Sequence, residues 1–560
     1  MNFTDFLNGQ ANTATLLFGS TLCYWRRYPW DAYWQDTYKL KDNFTLNYGV
    51  RYEYPSAIRQ TRNQATNFIP GVGPVLLGSN QLLTIDTTKK GPASLVLTQA
   101  PLTLSSSGVN SDKNNFAPVL GFAYTPRFAR SVFGKDDTVI RGGFRMGYDD
   151  IFNNIPANMG LNAPFNLTTT QSAKATNNGK KFPWATGFNQ NVPLVKNIGL
   201  PNQVGLVGFS AEDQNINSAY IYQYSLGIQR RLGSAFSLEV DYQGSNGHAL
   251  GLFVDQNQPK LNALNQQVFP YPLFGSVGTG KDIGNSNYNG VVFTSKYQGR
   301  HGIYFEGSYT LGKSLDYGSA FFGSSGERAG VADANNLIAE HGPSSFDIRN
   351  RAVFYYVIDL PVGPGRRLLG WNNGVNRQVF GSWQISGITT IQSGIPFTVF
   401  NSSQDFSGFN QFNDRPDVVG TGPLTQDNRN PDAAFDFTHF GCFFDTVKSK
   451  LDCSKGVPPI GRVGNSGRNQ YYGPGLVNYN FAVSKNFPLG TEKVHLQFRA
   501  DFFNLFNHTN FANPVSSQSS GNFGKITATV GSGTATAVGT TAGVVGGGPR
   551  VIQGALRVEF

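Results

Sequence analysis

The chain of 560 residues is poor in charge, with 14% charged and 13% aromatic residues, and its mean hydropathy is −0.28. It contains no uninterrupted apolar run long enough to cross a bilayer as a helix, which excludes a helical membrane protein. The formal charge of +10 comes from Lys and Arg scattered along the chain. Proteins that bind nucleic acids gather such residues on one face or helix, so nucleic acid is not an expected partner.

Along the chain, about fourteen segments of around ten residues alternate apolar and polar residues at every step, which is typical of β-strands with one apolar face. An early and clear segment covers residues 43–54, with apolar residues such as Tyr48 on one face and polar residues such as Arg51 on the other. The last segment ends on Phe560, so the chain is expected to end inside a strand on an aromatic residue.

The predicted connections alternate between short and long. Short connections are predicted at residues 232–234, 299–301 and 486–492. Long connections are predicted at residues 54–115, 149–217, 245–286, 314–346, 395–474 and 508–549. Compact soluble domains rarely contain such long loops, whereas outer-membrane barrels have short periplasmic turns and long extracellular loops. The pattern predicts an all-β fold, a transmembrane antiparallel β-barrel to which this chain contributes about fourteen strands.

Charged residues of the predicted strands fall on the polar face. An Arg or Lys at the bilayer midplane costs ~2–4 kcal/mol, so the strand at residues 493–501 must turn Leu496 and Phe498 to lipid. The same reasoning predicts that eight charged residues face the barrel lumen: Arg51, Glu53, Arg141, Arg145, Arg349, Arg351, Arg499 and Asp501. They form either a mutually paired, solvated wall or a surface that guides a substrate, and the pattern leaves both interpretations open.

One long loop contains two cysteines that are candidates for a disulfide and three aspartates that are candidates for calcium ligands. Cys442 and Cys453 are close enough in sequence to close a disulfide worth about 3 kcal/mol in the chain-entropy model, as in oxidising compartments. Two unpaired thiols are the alternative, because sequence cannot establish geometry. Asp405, Asp414 and Asp417 lack the spacing of a known calcium loop. The histidines lack the close pairing of zinc sites, so neither a metal nor a cofactor is expected.

One motif matches a phosphate-binding loop letter for letter. Gly307, Gly312, Lys313 and Ser314 satisfy G-x-x-x-x-G-K-[ST], but that loop must lie between a strand and a helix. Here the surrounding residues continue one alternating strand, which argues against nucleotide binding. No G-x-S-x-G elbow and no distinctive carboxylate pair is found, so no catalytic residue is predicted and nothing supports an enzyme.

Several segments resemble TonB-dependent outer-membrane receptors, in particular the large, Oar-like members. RADFFNLFNHTNF at residues 499–511, followed by a Gly-rich loop and a last strand, resembles the end of such a receptor. Four further segments agree: KDNFTLNYGVRYEY at 41–54, NNFAPVLGFAY at 114–124, SFDIRNRAVFYYVIDLP at 345–361 and GRNQYYGPGLVNYNFAVSKNF at 467–487.

The resemblance implies a twenty-two-stranded barrel with a plug domain inside it, driven by TonB, that takes up a bulky solute across the bacterial outer membrane. Its surroundings would be outer-membrane lipid and lipopolysaccharide, and its solute ligand is unknown. Residues 1–560 are then expected to be one partial barrel domain without the plug or signal peptide, with TonB contacted through the missing N-terminal part. About eight strands are unaccounted for on that number.

The last predicted strand carries a further implication of the resemblance. Such barrels end on an amphipathic strand with a terminal aromatic residue, which the barrel-insertion machinery reads as an assembly signal. Here Leu556, Val558 and Phe560 would carry it. Alternatively, Phe560 is an ordinary lipid-facing aromatic residue, since such residues are common at membrane interfaces.

Two other functions remain open on the sequence. The first is a passive outer-membrane pore or a surface-adhesion barrel, in which long outer loops contact ligands without energy coupling. The second is a soluble all-β protein such as a propeller. A propeller should repeat with a period of roughly forty-odd residues, and no such self-similarity is seen.

Overall fold

The computed structural model describes residues 7–11, 13–19, 22–89, 91–149, 154–172, 182–183, 207–299, 302–320, 330–401, 405–409, 414–420, 430–445, 450–453, 460–488, 495–530 and 548–559. Thirteen strands of one sheet follow each other in chain order, and each pairs antiparallel with its neighbours. They are β1 (Trp30–Lys41), β2 (Phe44–Tyr54), β3 (Asn115–Tyr124), β4 (Thr138–Tyr148), β5 (Tyr220–Leu232), β6 (Phe236–Asp255), β7 (Val277–Gln298), β8 (Ile303–Asp316), β9 (Asn350–Asp359), β10 (Trp383–Gln392), β11 (Leu476–Pro488), β12 (His495–Phe503) and β13 (Val551–Glu559).

The remaining elements are short and lie outside this meander. Phe209–Glu212 pairs parallel with β7 and Gly342–Pro343 antiparallel with β8, which brings the sheet to fifteen strands. A separate four-stranded sheet contains Thr66–Ile69, Gly73–Leu76, Gln81–Ile85 and Leu95–Gln99. Two-stranded pairs are Gln10–Ala11 with Phe182–Pro183, Thr13–Gly19 with Asn166–Ser172, Trp25–Arg26 with Arg59–Gln60, Lys260–Leu261 with Gln267–Val268, Pro396–Phe397 with Tyr471–Tyr472, and Phe443–Asp445 with Lys450–Asp452.

The helices of the described residues are short. The α-helices among them are Arg130–Phe133, Asn154–Met159 and Gly374–Val379, and the 3-10 helices are Gly91–Ser94, Leu337–Glu340 and Phe437–His439. A helix with the length and apolarity needed to cross a membrane is not found in the described part of the chain.

The connections of the meander lie alternately at the two ends of its strands, along two opposite borders of the sheet. Those at one edge, here called the turn edge, are residues 42–43, 125–137, 233–235, 299–302, 360–382 and 489–494. Those at the opposite edge, here called the loop layer, are residues 55–114, 149–219, 256–276, 317–349, 393–475 and 504–550. The three predicted short connections all fall at the turn edge. The predicted long loop at 245–286 is wrong at both ends, because β6 continues to Asp255 and β7 begins at Val277.

The strand register gathers apolar side chains on one face of the sheet. A single row across ten strands contains Phe44, Tyr124, Ile140, Ile228, Val240, Phe293, Tyr309, Ala352, Ile391 and Val477. Within it Ile228 is 49% and Phe293 47% exposed, so no second layer of the described structure covers this face. So large an exposed apolar surface is suited to lipid rather than water.

The main hydrophobic clusters of the described residues lie in the loop layer and at the strand ends next to it. One cluster joins two connections and β7 through Phe68, Leu83, Leu167, Phe209 and Val277. Another joins two further connections through Phe397, Phe435, Phe440 and Phe523. The long connections are therefore folded against one another, which their polar composition did not predict.

β1 and β13 are the first and last strands of the sheet, and each has only one neighbouring strand along the meander. Within the described residues they are not hydrogen-bonded to each other. Each begins next to the loop layer and ends at the turn edge, so the two edge strands run in the same direction.

Candidate lumen wall

The face opposite the apolar row carries most of the charged side chains of the sheet. One of its rows contains Thr45, Ala123, Arg141, Gly227, Asp241, Val292, Thr310, Arg351 and Gln392. We call this face the polar wall, and it also holds Arg51, Glu53, Arg145, Arg499 and Asp501 on neighbouring rows. Successive residues of a strand point to opposite faces, so one alternating sequence places charge here and apolar groups on the other side.

The first charge cluster of the polar wall lies near the loop layer. Arg51 is 2.6 Å from the Asp31 carboxylate and 3.0 Å from that of Glu53, and Asp31 lies directly opposite Glu53 in the β1–β2 ladder. Arg51 and Glu53, which are both predicted to face the lumen, are thus brought together, and Asp31, which the sequence did not single out, joins them. Because the Arg51 side chain is half-exposed, each of these ion pairs contributes only about 0–1 kcal/mol to stability.

A second charge cluster lies closer to the turn edge. Arg141 forms ion pairs with Glu239 and with Asp241, the latter at 3.6 Å. Gly227 lies between Arg141 and Asp241 in the row, and a Cβ added there would collide with the Asp241 carboxylate. Glycine at this position therefore allows the arginine of β4 to reach the carboxylates of β6.

The other predicted wall residues have different surroundings. Arg499 and Asp501 pair with each other along β12, with 2.9 Å between their charged atoms. Arg145 donates a hydrogen bond to the side chain of Gln223. Arg351 lies opposite Thr310 and Gln392 in the ladders.

Arg349 is the exception among the predicted wall residues. It precedes β9, which begins at Asn350, and its carbonyl accepts a hydrogen bond from the Gly312 amide at 3.1 Å. It lies beside Tyr472, whose hydroxyl donates to Asp347 at 3.1 Å. Burial and the nearby Asp347 carboxylate raise the pKa of Tyr472 to about 12, so this tyrosine stays neutral at physiological pH. Arg349 thus belongs to the boundary with the loop layer.

Between the two charge clusters the polar wall is concave and, apart from Arg145, lined by uncharged side chains. A cavity of about 770 Å³ lies there. The polar side chains that line it are Gln35, Asn47, Arg145, Gln223, Ser225, Gln243, Ser245 and Tyr288. Amides and hydroxyls both donate and accept hydrogen bonds, so this surface suits a polar ligand, and Arg145 adds one positive charge to it. Sequence reasoning missed it because attention was confined to charged residues.

Small residues give this cavity its depth. Gly121 and Gly143 lie opposite each other in it, and no side chain fills the space above them. Further along the same row the ring of Tyr288 lies over Gly290 and Gly312, and a Cβ added at Gly312 would be 3.0 Å from that ring. The tyrosine therefore forms one side of the concavity, and glycines make room for it.

The motif at residues 307–314 lies entirely within β8 (Ile303–Asp316). Gly307, Gly312 and Ser314 each pair in register with residues of β7. The predicted continuous strand is confirmed. The backbone amides of this segment are used in the sheet, whereas a phosphate-binding loop needs them free to point at the ligand.

The loop layer contains the predicted cysteine pair. Cys442 and Cys453 are joined by a disulfide that spans the two-stranded pair Phe443–Asp445 and Lys450–Asp452. The third cysteine, Cys23, carries a free thiol whose pKa is raised by burial.

The three aspartates weighed as calcium ligands do not converge. Asp405 and Asp414 both accept hydrogen bonds from the Ser407 hydroxyl, at 3.3 and 3.0 Å. Asp417 instead binds the Arg462 guanidinium at 2.6 Å, which lowers the pKa of its carboxyl. Across the described ranges, no three His, Cys, Asp or Glu side chains are grouped as a metal ion would require.

The loop layer also buries charge that the sequence did not reveal. Arg468 pairs with Asp316 and Arg415 with Glu340, the second pair at 2.8 Å, and all four side chains are almost fully buried. The Glu212 carboxylate is likewise buried, and neither of its oxygens has a hydrogen-bond partner in the described structure. Burial, with a smaller contribution from Asp213, raises the pKa of Glu212 to about 8.

The predicted assembly signal lies on β13 at the edge of the sheet. Leu556 is 71% exposed and pairs in register with Phe498, while Val558 pairs with Leu496. These four side chains share the apolar face, in agreement with the lipid-facing orientation predicted for β12. Phe560 lies outside the described residues.

The chain can be compared with known proteins on this basis. The protein family described as "Outer membrane beta barrel domain" matches residues 1–553. No curated protein matches the chain in sequence.

Solved structures similar to the chain include three outer-membrane proteins. The outer membrane transporter YddB from Escherichia coli is 9% identical with a TM-score of 0.38, over 86% of this chain and 50% of that chain. The ferripyoverdine receptor of Pseudomonas aeruginosa is 9% identical with a TM-score of 0.36, over 88% and 36%. The FrpB iron transporter from Neisseria meningitidis is 9% identical with a TM-score of 0.38, over 94% and 45%. The chain spans half or less of the length of each.

The family match covers nearly the whole chain, and the fold has the features of such a domain. One face of its antiparallel sheet is apolar and exposed, the other is polar, and the long connections share one edge, as in barrels that cross an outer membrane. The chain belongs to the outer membrane β-barrel domain family and resides in the bacterial outer membrane, with its loop layer extracellular and its turn edge periplasmic.

Proposed function

We propose that the chain forms part of the barrel wall of a TonB-dependent receptor of the large, Oar-like type, which takes up a bulky solute across the outer membrane. The observation that carries the proposal is the width of the sheet. Barrel diameter grows with strand number, and thirteen strands already exceed the small barrels whose interiors are filled by side chains. The segments that resemble such receptors include β2, β3, β9, β11 and β12.

The direction of the edge strands supports a still wider barrel. In hydrocarbon every backbone N–H and C=O must be hydrogen-bonded, so the open edges of β1 and β13 require partners. Because both strands run from the loop layer to the turn edge, pairing them directly would be parallel, whereas these barrels are antiparallel. Closure therefore needs an odd number of further strands. The twenty-two strands of the family would require nine, rather than the eight expected from the sequence.

In this proposal the polar wall contacts the solute or a plug inside the barrel. The cavity between the two charge clusters would bind hydroxyl or amide groups, and Arg51, Arg141 and Arg499 would be held in place by their carboxylate partners. In the described wall, Arg145 and Arg351 form no ion pair with an Asp or Glu side chain. Arg145 instead donates to Gln223, and Arg351 lies opposite Thr310. These two arginines are therefore the ones proposed to meet an anionic group of the ligand.

Channel conductance of the complete protein tests the proposal. In a planar bilayer, a receptor whose lumen holds a plug should show no steady open-channel current, and its periplasmic face should bind the isolated C-terminal domain of TonB. The competing function is a passive pore or adhesion barrel. A steady current together with no TonB binding would establish the pore and contradict the receptor.

A further inference from the structure

Residues 360–382 form an unusual connection at the turn edge. Most connections there are tight, but this one is long enough to include the helix Gly374–Val379. The helix is capped at its start by Asn373, whose side chain accepts a hydrogen bond from the Asn376 amide at 2.7 Å. The connection is therefore a folded unit rather than a slack turn.

Two side chains of the barrel wall hold this connection on the lipid side. The indole N–H of Trp383 donates to the Val379 carbonyl at 2.9 Å, and the Lys485 ammonium donates to the Gly381 carbonyl. Trp383 and Lys485 lie opposite each other, and their row continues through Phe498 and Leu556 on the apolar face. Since both anchoring side chains point outward from the barrel, the connection packs on the outer perimeter of the wall.

The surface that the connection presents is apolar and cationic. Trp371 is 66% and Val375 72% exposed, and further exposed apolar side chains are Leu368, Val379 and Phe380. Residues 360–382 contain Arg366, Arg367 and Arg377 and neither Asp nor Glu. Aromatic and aliphatic groups beside arginines, on a short helix and in the segment before it, are the features of segments that lie in a membrane interface.

The other helix of the turn edge is held in the same way. In residues 125–137 the helix Arg130–Phe133 exposes Val132, as its flank exposes Phe128. Arg230, which lies opposite Leu238 on the apolar face, donates to the Val132 carbonyl. A basic residue from the lipid-facing side thus pins each helical connection, which argues that the arrangement serves one purpose.

We propose that residues 360–382 bind the inner leaflet of the outer membrane, with Trp371 and Val375 inserted at the headgroup level and the three arginines paired with phosphates of anionic phospholipid. The partner is a lipid surface because the exposed apolar side chains are continuous with the lipid-facing row of Trp383 and Phe498. Opposite charge favours phosphatidylglycerol over a zwitterionic lipid. The inference depends on the barrel fold and not on the receptor function.

Depth-dependent fluorescence quenching in bilayer nanodiscs tests this directly. An environment-sensitive fluorophore is attached to Val375→Cys in the complete protein with Cys23→Ser, in phosphatidylethanolamine discs with or without phosphatidylglycerol. Leu264→Cys is the matched control, since Leu264 is 76% exposed but lies in the loop layer. We expect lipids with a spin label near the headgroup to quench the Val375 probe more than lipids labelled deep in the chain, and aqueous iodide to quench only the Leu264 probe.

Charge removal separates lipid binding from simple proximity. Each basic residue near an anionic surface is worth about a factor of five, so R366Q/R367Q/R377Q should shift the ratio of inserted to withdrawn connection by roughly a hundredfold in discs with phosphatidylglycerol. If the unheated and heated variant differ in mobility on a denaturing gel as the unheated and heated parent do, the variant is folded. The proposal fails if iodide quenches the Val375 probe as strongly as the Leu264 probe. It also fails if only added periplasmic proteins shield the probe, which would assign the surface to a protein partner.

Discussion

Replacing Leu226 by arginine tests which face of the sheet meets lipid. Leu226 lies at the midpoint of β5 (Tyr220–Leu232), opposite Gly142 and Tyr242. At about 3.4 Å per residue, roughly 20 Å of strand separates it from either end, which places it near the bilayer centre for a strand tilted by about 45°. The side chain is 51% exposed, so little packing is lost on substitution.

The expected cost of Leu226→Arg is therefore the cost of a charge in hydrocarbon, about 2–4 kcal/mol. The same change on a water-exposed surface would alter stability by no more than about 0.5 kcal/mol. The matched control is Ser225→Arg, one residue away on the polar wall, where the new guanidinium would reach the aqueous cavity. We expect that variant to lie within about 0.5 kcal/mol of the parent.

The free energy of unfolding is measured for the complete protein by equilibrium urea titration in phospholipid vesicles, with tryptophan fluorescence as the signal. Both variants must unfold with the slope of the parent for the comparison to hold. If Ser225→Arg were the costly change and Leu226→Arg the neutral one, the assignment of lipid to the apolar row would be refuted.

Four further results are expected. Glu212 has a raised pKa, so the folded loop layer keeps its proton while the unfolded chain releases it, and stability should fall by up to about 1.4 kcal/mol per pH unit from near pH 4.5 to near pH 8; hydrogen exchange at acid and neutral pH measures this. Asp316→Ala should cost about 3–5 kcal/mol in loop-layer stability, because it leaves a buried guanidinium unpaired, as followed by protease sensitivity. Replacing Cys442 and Cys453 by serine should cost about 3 kcal/mol and make the hairpin between them sensitive to protease. Deleting Phe560 should slow insertion of the newly made chain into the outer membrane, as measured by pulse-chase fractionation.

Each of these has a control and a contrary outcome. Glu212→Gln should remove the pH dependence and stabilise the loop layer at neutral pH, and a slope that persists in this variant would assign it to another group. Asp316→Asn keeps the shape, so a loss equal to that of alanine would identify charge as the cause, while no loss in either variant would contradict the buried pair. After cleavage of the parent protein by protease between Cys442 and Cys453, separation of the two cysteine-containing peptides without reductant would show that these cysteines are unbonded. Phe560→Tyr should insert normally, and normal insertion of the deletion would dispose of the assembly role.

The extracellular loop layer is the part of the molecule most suited to vary in stability. Its two buried ion pairs tie residues 317–349 to residues 393–475, since Arg468 and Arg415 both contact the region around Glu340. Arg468 donates to the Glu340 carbonyl at 2.6 Å and Arg415 to its carboxylate at 2.8 Å. The two connections are therefore coupled, and loosening one should expose the other.

The amino-acid sequence alone determined the two faces of the sheet and the positions of three of its six turn-edge connections. Alternation of apolar and polar residues is local, and it places Phe498 on one face and Arg499 on the other whatever lies around them. The same local rule rejected the phosphate-binding motif in β8 and oriented β12 before any partner strand was known. The short separation of Cys442 and Cys453 in sequence allowed a disulfide as well as two unpaired thiols, and the folded hairpin decides for the disulfide.

Tertiary structure alone decided the rest, because the causes lie far apart in sequence. Register shifts near Leu250 break the alternation in β6, and Leu252 and Val254 beyond them are buried with Val331 of a distant loop, so the extension of that strand was read as loop. The clusters of the loop layer join side chains such as Phe68 and Phe209, or Phe397 and Phe523, that lie more than a hundred residues apart in sequence. The cavity of the polar wall is lined by residues of seven strands, β1 to β7, so it exists only when these strands are in register. The common direction of β1 and β13, from which the odd number of further strands follows, is a property of the whole sheet and of no single segment.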